Sequence, residues 1–234
     1  MAEPVFTSLE ECFSDLPDPR VQGRCDHKLM DLIIITVCVV ICGADSWTGV
    51  ETFAKAKEEW LRQYLELPKG IPAHDTLGRV FASLNAEAFQ AGFSRWVEAV
   101  FRVTKGQVVA IDGKTVRRCH NQTIVRVQRE VRVQGKTSFE TAYYISTLPN
   151  DAAQLLEASR HQWAIENSFH WVLDVTFRED DSRIRSGDSP QNRAVFRHLA
   201  LNILKQDPSR MSLKQKRLRA GLDNSFLLQL LTRI

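Results

Sequence analysis

Apolar residues recur at helical spacing through the first hundred positions. In "VETFAKAKEEWLRQYL" (50–65), Val50, Phe53, Ala54, Trp60, Leu61 and Tyr64 follow the period of a helix with one apolar face. "HDTLGRVFASL" (74–84) repeats the pattern with Leu77, Val80, Phe81 and Leu84, behind Asp75, a residue suited to an N-cap. "NAEAFQAGFSRWVEAVF" (85–101) opens on Asn85 as its cap and aligns Phe89, Phe93, Trp96, Val97 and Val100. One stretch resists this reading. "LIIITVCVVICGA" (32–44) is apolar throughout and rich in β-branched residues, so periodicity leaves a buried strand and a buried helix equally open. The pattern predicts a helical region of about 100 residues, a normal domain size.

Past residue 105 the texture changes. "VVAID" (108–112) suits a short buried strand. "IVRVQREVRV" (124–133) alternates apolar and polar residues, as a half-buried strand or hairpin does, and "TAYYIS" (141–146) is a further strand. A long helix is predicted from Asp151, its N-cap, to about Phe177. Helical periodicity returns over 190–234, with Pro190 near a helix start and Pro208 at a break. The fold class is therefore α+β, mainly α. The domains divide at 1–104 and 105–234.

Composition narrows the class. A chain of 234 residues with 44% hydrophobic content can bury a core. A net charge of +3 is too small to argue for nucleic acid, but its distribution is uneven. Lys114, Arg117, Arg118, Arg126, Arg129, Arg132 and Lys136 face only Glu130 between 113 and 136, and a second cluster holds Lys205, Arg210, Lys214, Lys216, Arg217 and Arg219. Clustered positive charge marks either a polyanion partner or solvated element faces. Five cysteines without a C-x-x-C pair, and no leader ahead of them, fit a reducing cytoplasm and do not support a zinc site. The apolar run 32–44 falls short of the roughly 20 residues a bilayer span needs, so no membrane partner is expected.

Candidate chemistry begins at "AIDGKTVRR" (110–118). Gly113-Lys114-Thr115 looks like the end of a phosphate-binding loop, but G-x-x-x-x-G-K-[ST] would need glycine at 108, which is Val108. Seen alone, Asp112 reads first as the carboxylate of an Asp-Gly turn. Glu166 raises a second reading. At about 100° per residue, Leu155, Ser159, Gln162, Glu166, Phe169, His170, Leu173 and Phe177 fall on one face of the predicted helix, so a carboxylate sits in a core-facing stripe. It must be paired with an arginine, protonated or bound to a cation. Two carboxylates, one ending a strand and one on a packed helix, suit Mg²⁺ held with phosphates and water.

"IPAHDTLGRVFASL", "VVAIDGKTVRR" and "HQWAIENSFHWVLDVTFREDDSRIRSG" together resemble the H-repeat-associated family of insertion-sequence transposases, and "RCDHKLMDLIIITVCVVICGADSW" resembles its helical associated domain. The resemblance runs from about Phe6 to about Leu231, in several blocks in the right order. It implies helix for 32–44 and a ribonuclease H-like core whose DDE carboxylates hold Mg²⁺ or Mn²⁺ for DNA cleavage and strand transfer. Asp112 matches the first aspartate and Glu166 the glutamate, as catalytic and metal-binding residues. Arg160 and Trp163 match the Arg-x-His-Trp-x-Ile-Glu-Asn element, although His161 and Gln162 depart from it. Lys114, Arg117, Arg118, Arg160, Trp163, Arg183 and Arg185 are the expected DNA contacts. Partners would be transposon ends, target DNA, and further copies or a full-length transposase. The setting would be a bacterial, nucleoid-associated cytoplasm.

One family feature is missing. "RRCHN" (117–121) runs directly into "QTIVRVQREVRV", with no Asp-Ala-Met-Gly-like motif bearing the second catalytic aspartate. The resemblance thus implies an internal deletion near 121–122 and a truncated core. Two carboxylates hold two mutually repelling divalent ions poorly. Asp174 points about 80° away from Glu166 on the helix, and Asp180 and Asp181 fall in a polar loop. The expected function is a transposase-like protein with impaired catalysis; the alternative is a non-catalytic DNA-binding or partner-binding remnant.

Overall fold

Eleven consecutive residues, Asp31 to Ile41, are buried in one helix. They belong to α2 (Leu29–Ile41), and they resolve the open question of the 32–44 run: it is helical as far as Ile41. β-branched residues are tolerated because packing on all sides outweighs propensity. The buried Thr36 hydroxyl donates to the Leu32 carbonyl at 2.7 Å, so the one polar side chain inside this run is satisfied within the helix. The computed structural model describes residues 7–21, 23, 25–103, 123–133, 136–146, 151–155 and 171–232.

The other helices are α1 (Thr7–Phe13), α3 (Trp47–Ala56), α4 (Glu58–Leu61), α5 (His74–Ser83), α6 (Ala86–Val103), α7 (Trp171–Phe177), α8 (Ser189–Gln206), α9 (Leu213–Leu222) and α10 (Asn224–Leu231). Two compact units emerge, one formed by 1–109 with 173–234 and the other by 110–172. In the first unit α8 packs against α2, α5, α6, α9 and α10. Its Val195, Phe196, Leu199, Ala200, Ile203 and Leu204 are all buried. Aromatic rings continue this core. Phe196 lies 5.0 Å from both Phe81 and Phe89, Phe81 stacks on Trp47 at 5.1 Å, and Phe89 meets Phe13 at 5.2 Å.

Of the sequence-predicted faces of the second and third helices, Leu77, Val80, Phe81 and Leu84, then Phe89, Phe93, Trp96 and Val97 are buried; the side chain of Val100 lies outside what is described. Asn85 caps α6, accepting from the Ala88 N–H at 2.7 Å. Asp75 is not the cap of α5. The helix begins at His74 behind Ala73, two residues earlier than a cap at Asp75 would start it, and the His74 N–H donates to Glu51 of α3 at 2.8 Å. The expected helix 50–65 is broken at Lys57 and ends at Leu61. Arg62 donates to the Leu67 carbonyl at 2.8 Å and pairs with Glu58, which folds the chain back. Pro190 stands in the first turn of α8, and α8 ends two residues before Pro208.

The second unit contains an antiparallel hairpin of β1 (Thr123–Val133) and β2 (Lys136–Ser146), where the alternating segments predict strands. Register pairs Arg126 with Tyr143, Arg129 with Glu140 and Arg132 with Thr137. A turn of helix at 152–155 is capped as expected by Asp151, which accepts from the Ala153 N–H at 2.8 Å. At the two ends of the long apolar stripe Leu155, Leu173 and Phe177 are buried; residues 156–170 lie outside the described residues. So do the strand expected at 108–112 and the boundary at 104/105.

Candidate nucleic-acid interface

Of the nine residues singled out by sequence, Arg183 and Arg185 are described; Asp112, Lys114, Arg117, Arg118, Arg160, Trp163 and Glu166 lie outside the described residues. Both arginines are exposed in the loop between α7 and α8. The loop starts where Arg178 takes a left-handed conformation, φ 51°, uncommon for a residue with a side chain. Its Nε pairs with Asp181 at 2.9 Å. Glu179 pairs with the buried Arg197 of α8 at 3.3 Å, and its N–H donates to Leu173 at 3.2 Å. At the far end Asp188 accepts from the Ala86 N–H at 3.2 Å. The loop holds four carboxylates, of which Glu179, Asp181 and Asp188 are engaged in this way. Arg183 and Arg185 are exposed, and Asp180, the fourth carboxylate of the loop, is exposed as well.

Of the second basic cluster Lys205, Arg210, Lys214 and Arg219 are exposed, but Lys216 and Arg217 are not part of that surface. Lys216 is buried and donates to the Asp207 carbonyl at 2.6 Å and the Leu204 carbonyl at 3.2 Å. Arg217 is buried too. It donates to the Val40 carbonyl at 3.1 Å and to Thr176, and lies 4.2 Å over the Phe177 ring. These cations serve carbonyls at helix ends, where helical partners run out; the Val40 carbonyl also accepts from the Gly43 N–H at 3.2 Å. Arg193, 1% exposed, donates to the Ala44 carbonyl in the loop after α2 at 2.7 Å and sits 5.0 Å over the Trp47 ring. Burial, reinforced by the nearby Arg197, pushes its guanidinium down to about 9. Together Arg193 and Arg217 place positive charge at the C-terminal end of α2, where the helix dipole is negative. No hydropathy signal marks them, since arginine in a helical stretch reads as a solvated face.

The carboxylates weighed as substitutes for a missing ligand do not converge. Asp174, Asp180 and Asp181 are each exposed, and Asp181 is held by Arg178. Among the described residues no group of three or more His, Cys, Asp or Glu is placed to hold a metal ion. No helix among the described residues is long and apolar enough to cross a membrane. The described cysteines, Cys12, Cys25, Cys38 and Cys42, are free; burial pushes the Cys42 thiol up to about 12.

Residues 10–97 match the family model of the DDE_Tnp_1-associated region, and residues 88–203 that of the transposase DDE domain. The chain belongs to this family of transposases. It is 24% identical to the putative transposase YncI of Escherichia coli O157:H7 over 367 aligned positions, covering 96% of this chain and 94% of that protein. It is 35% identical over 135 residues to the H repeat-associated putative transposase YbfD of Escherichia coli K12, covering 58% of this chain and 52% of YbfD. With the inactive transposase YbfQ of the same strain it shares 42% identity over 72 residues, 31% of this chain and 86% of YbfQ. No solved structure matches the chain.

Proposed function

We propose that this chain is a transposase derivative that binds DNA and has lost efficient cleavage. The observation that carries the reading is a length. The alignment with YncI extends over 367 positions while this chain has 234 residues, so a large part of that relative has no counterpart here. The abrupt passage from Asn121 to the hairpin strand at Thr123 is where the family's second aspartate is lacking. Residues 1–104 would form the associated domain and 105–234 a truncated ribonuclease H-like domain.

Asp112 and Glu166 would hold Mg²⁺ or Mn²⁺, which in such sites stabilises attacking and leaving oxygens. Lys114, Arg117, Arg118, Arg160 and Trp163 would line the DNA path with Arg183 and Arg185, through phosphate contacts that position DNA without reading its sequence. The deciding experiment is a Mg²⁺-dependent nicking assay on the element's terminal repeat beside a gel shift on the same DNA. Binding without nicking is expected. Nicking by the wild-type chain that disappears in Glu166→Ala would overturn the loss of cleavage.

A second reading, attachment to another transposase chain, draws on exposed apolar side chains. Trp171 and Val175 lie one turn apart on α7, and Leu218 and Leu222 one turn apart on α9; all four are more than half exposed. Such pairs are the material of a protein interface. Light scattering on the purified chain is expected to show self-association that the Leu218→Ser/Leu222→Ser variant weakens. A monomer at all concentrations, with no binding to a longer relative, would dismiss it.

A further inference from the structure

The loop that carries Arg183 and Arg185 is fastened to helices of the associated region. Beyond its pairing with Ala86, Asp188 donates its N–H to the Ala82 carbonyl at 3.0 Å, and Gly187 lies so close that a Cβ there would collide with the same carbonyl oxygen. Gly187 also has φ 50°, a left-handed conformation that glycine adopts without strain. One turn into α8, the buried Asn192 donates both amide hydrogens, to Phe81 at 2.9 Å and Leu84 at 2.8 Å. These bonds occupy carbonyls at the C-terminal end of α5 that no helix partner could take. The α5–α6 junction and the end of the loop are therefore one hydrogen-bonded joint, and the Glu179–Arg197 pair fixes the loop's other end to α8.

We propose that the associated helices are the platform that preforms this loop for duplex DNA, with Gly187, Asp188 and Glu179 as positioning residues. The inference rests on Arg183 and Arg185 touching DNA phosphates. Two residues apart, their Cα atoms are separated by at most about 7 Å, the scale of neighbouring phosphates on one strand. A loop already ordered loses little conformational freedom on binding, so its contacts are retained as affinity. This gives the associated region a task in DNA contact through the loop it holds.

The test is fluorescence anisotropy of the full chain with a short labelled duplex of mixed sequence, titrated at several salt concentrations, with thermal melts of every variant. Arg183→Ala/Arg185→Ala is expected to bind roughly tenfold more weakly and to lower the salt slope by about 2, the value for two lost phosphate contacts. Asp188→Ala removes a negative charge, so bare electrostatics would strengthen binding. Positioning demands the reverse: weaker binding, a lower salt slope, and no further loss when combined with the arginine pair. Gly187→Ala, which changes no charge, is expected to behave alike; a general loss of stability would lower the melting temperature and leave the slope intact. If Asp188→Ala and Gly187→Ala keep the wild-type slope while the arginine pair loses it, the positioning role falls and the DNA contact stands. If the arginine pair itself binds like wild type, the underlying contact falls.

Discussion

Asp31 shows what a single buried carboxyl does to the energetics of the fold. It is 6% exposed in the first turn of α2, and its Oδ2 has no hydrogen-bond partner. Burial pushes its carboxyl up to about 6, against the attraction of Lys28. The folded chain then holds this proton more tightly than the unfolded chain, whose carboxyl titrates near 3.8. Its contribution is most favourable below about pH 4 and declines as pH rises to about 6. Asp31→Asn is expected to be more stable than wild type at about pH 8 and equal to it at about pH 4, as urea denaturation at both would show. Equal stability at the higher pH would refute the account. Arg217 illustrates the opposite sign. Arg217→Ala removes the cation that serves the Thr176 carbonyl and the Phe177 ring, and takes from the Val40 carbonyl one of its donors. It should cost about 2–4 kcal/mol in the same measurement, and Arg217→Lys should not restore it, since one ammonium cannot replace a stacked, forked guanidinium. A loss below 0.5 kcal/mol, typical of surface changes, would mean that the cation is not structural.

Among the elements, α1 is held by a close approach. Gly92 of α6 faces Phe13 so tightly that an added Cβ would lie 2.6 Å from Phe13 Cε1, and Phe13 is itself buried. Arg95 donates to the Cys12 carbonyl at 2.7 and 3.0 Å, closing the end of α1. Gly92→Val is therefore expected to release α1, read as faster amide exchange over 7–16 with α2, α5 and α8 unchanged; undiminished protection of α1 would sink the idea. Elements of this kind were largely legible beforehand. The faces of α5 and α6, the Asn85 cap and the two strand segments follow from spacing alone, because local period and burial agree. The break at Lys57 was not legible, since it depends on Arg62 meeting Leu67 and Glu58. The identity of α2 as helix was legible only by resemblance. A run apolar on every side has no period to read.

At the scale of the molecule, the unreadable part was which halves pack together. Asn192 meets Phe81 and Leu84, and Arg217 meets Val40, across more than a hundred residues, and no local pattern announces such pairs. The N-terminal helices accordingly depend on α8 and α9 for their core. A fragment of residues 1–104 is expected to lack a cooperative thermal transition and to bind an apolar dye, whereas the full chain melts cooperatively. A fragment that melted like the whole would show that the associated helices need no C-terminal partner. The candidate metal site stayed a matter of motif: Asp112 and Glu166 were found by their neighbours in sequence, and geometry enters the interface through Arg183 and Arg185.

The interior position of α2 has a consequence for the order of synthesis. Its partner α8 is made only after the long intervening chain, so a ribosome exposes a nearly all-apolar helix for on the order of ten seconds at about 5–20 residues per second. Until then nothing in the nascent chain can cover the α8-facing side of α2. A cell producing this protein must shield that helix with a chaperone or lose it to aggregation, and any message truncated before Ser189 makes that exposure permanent.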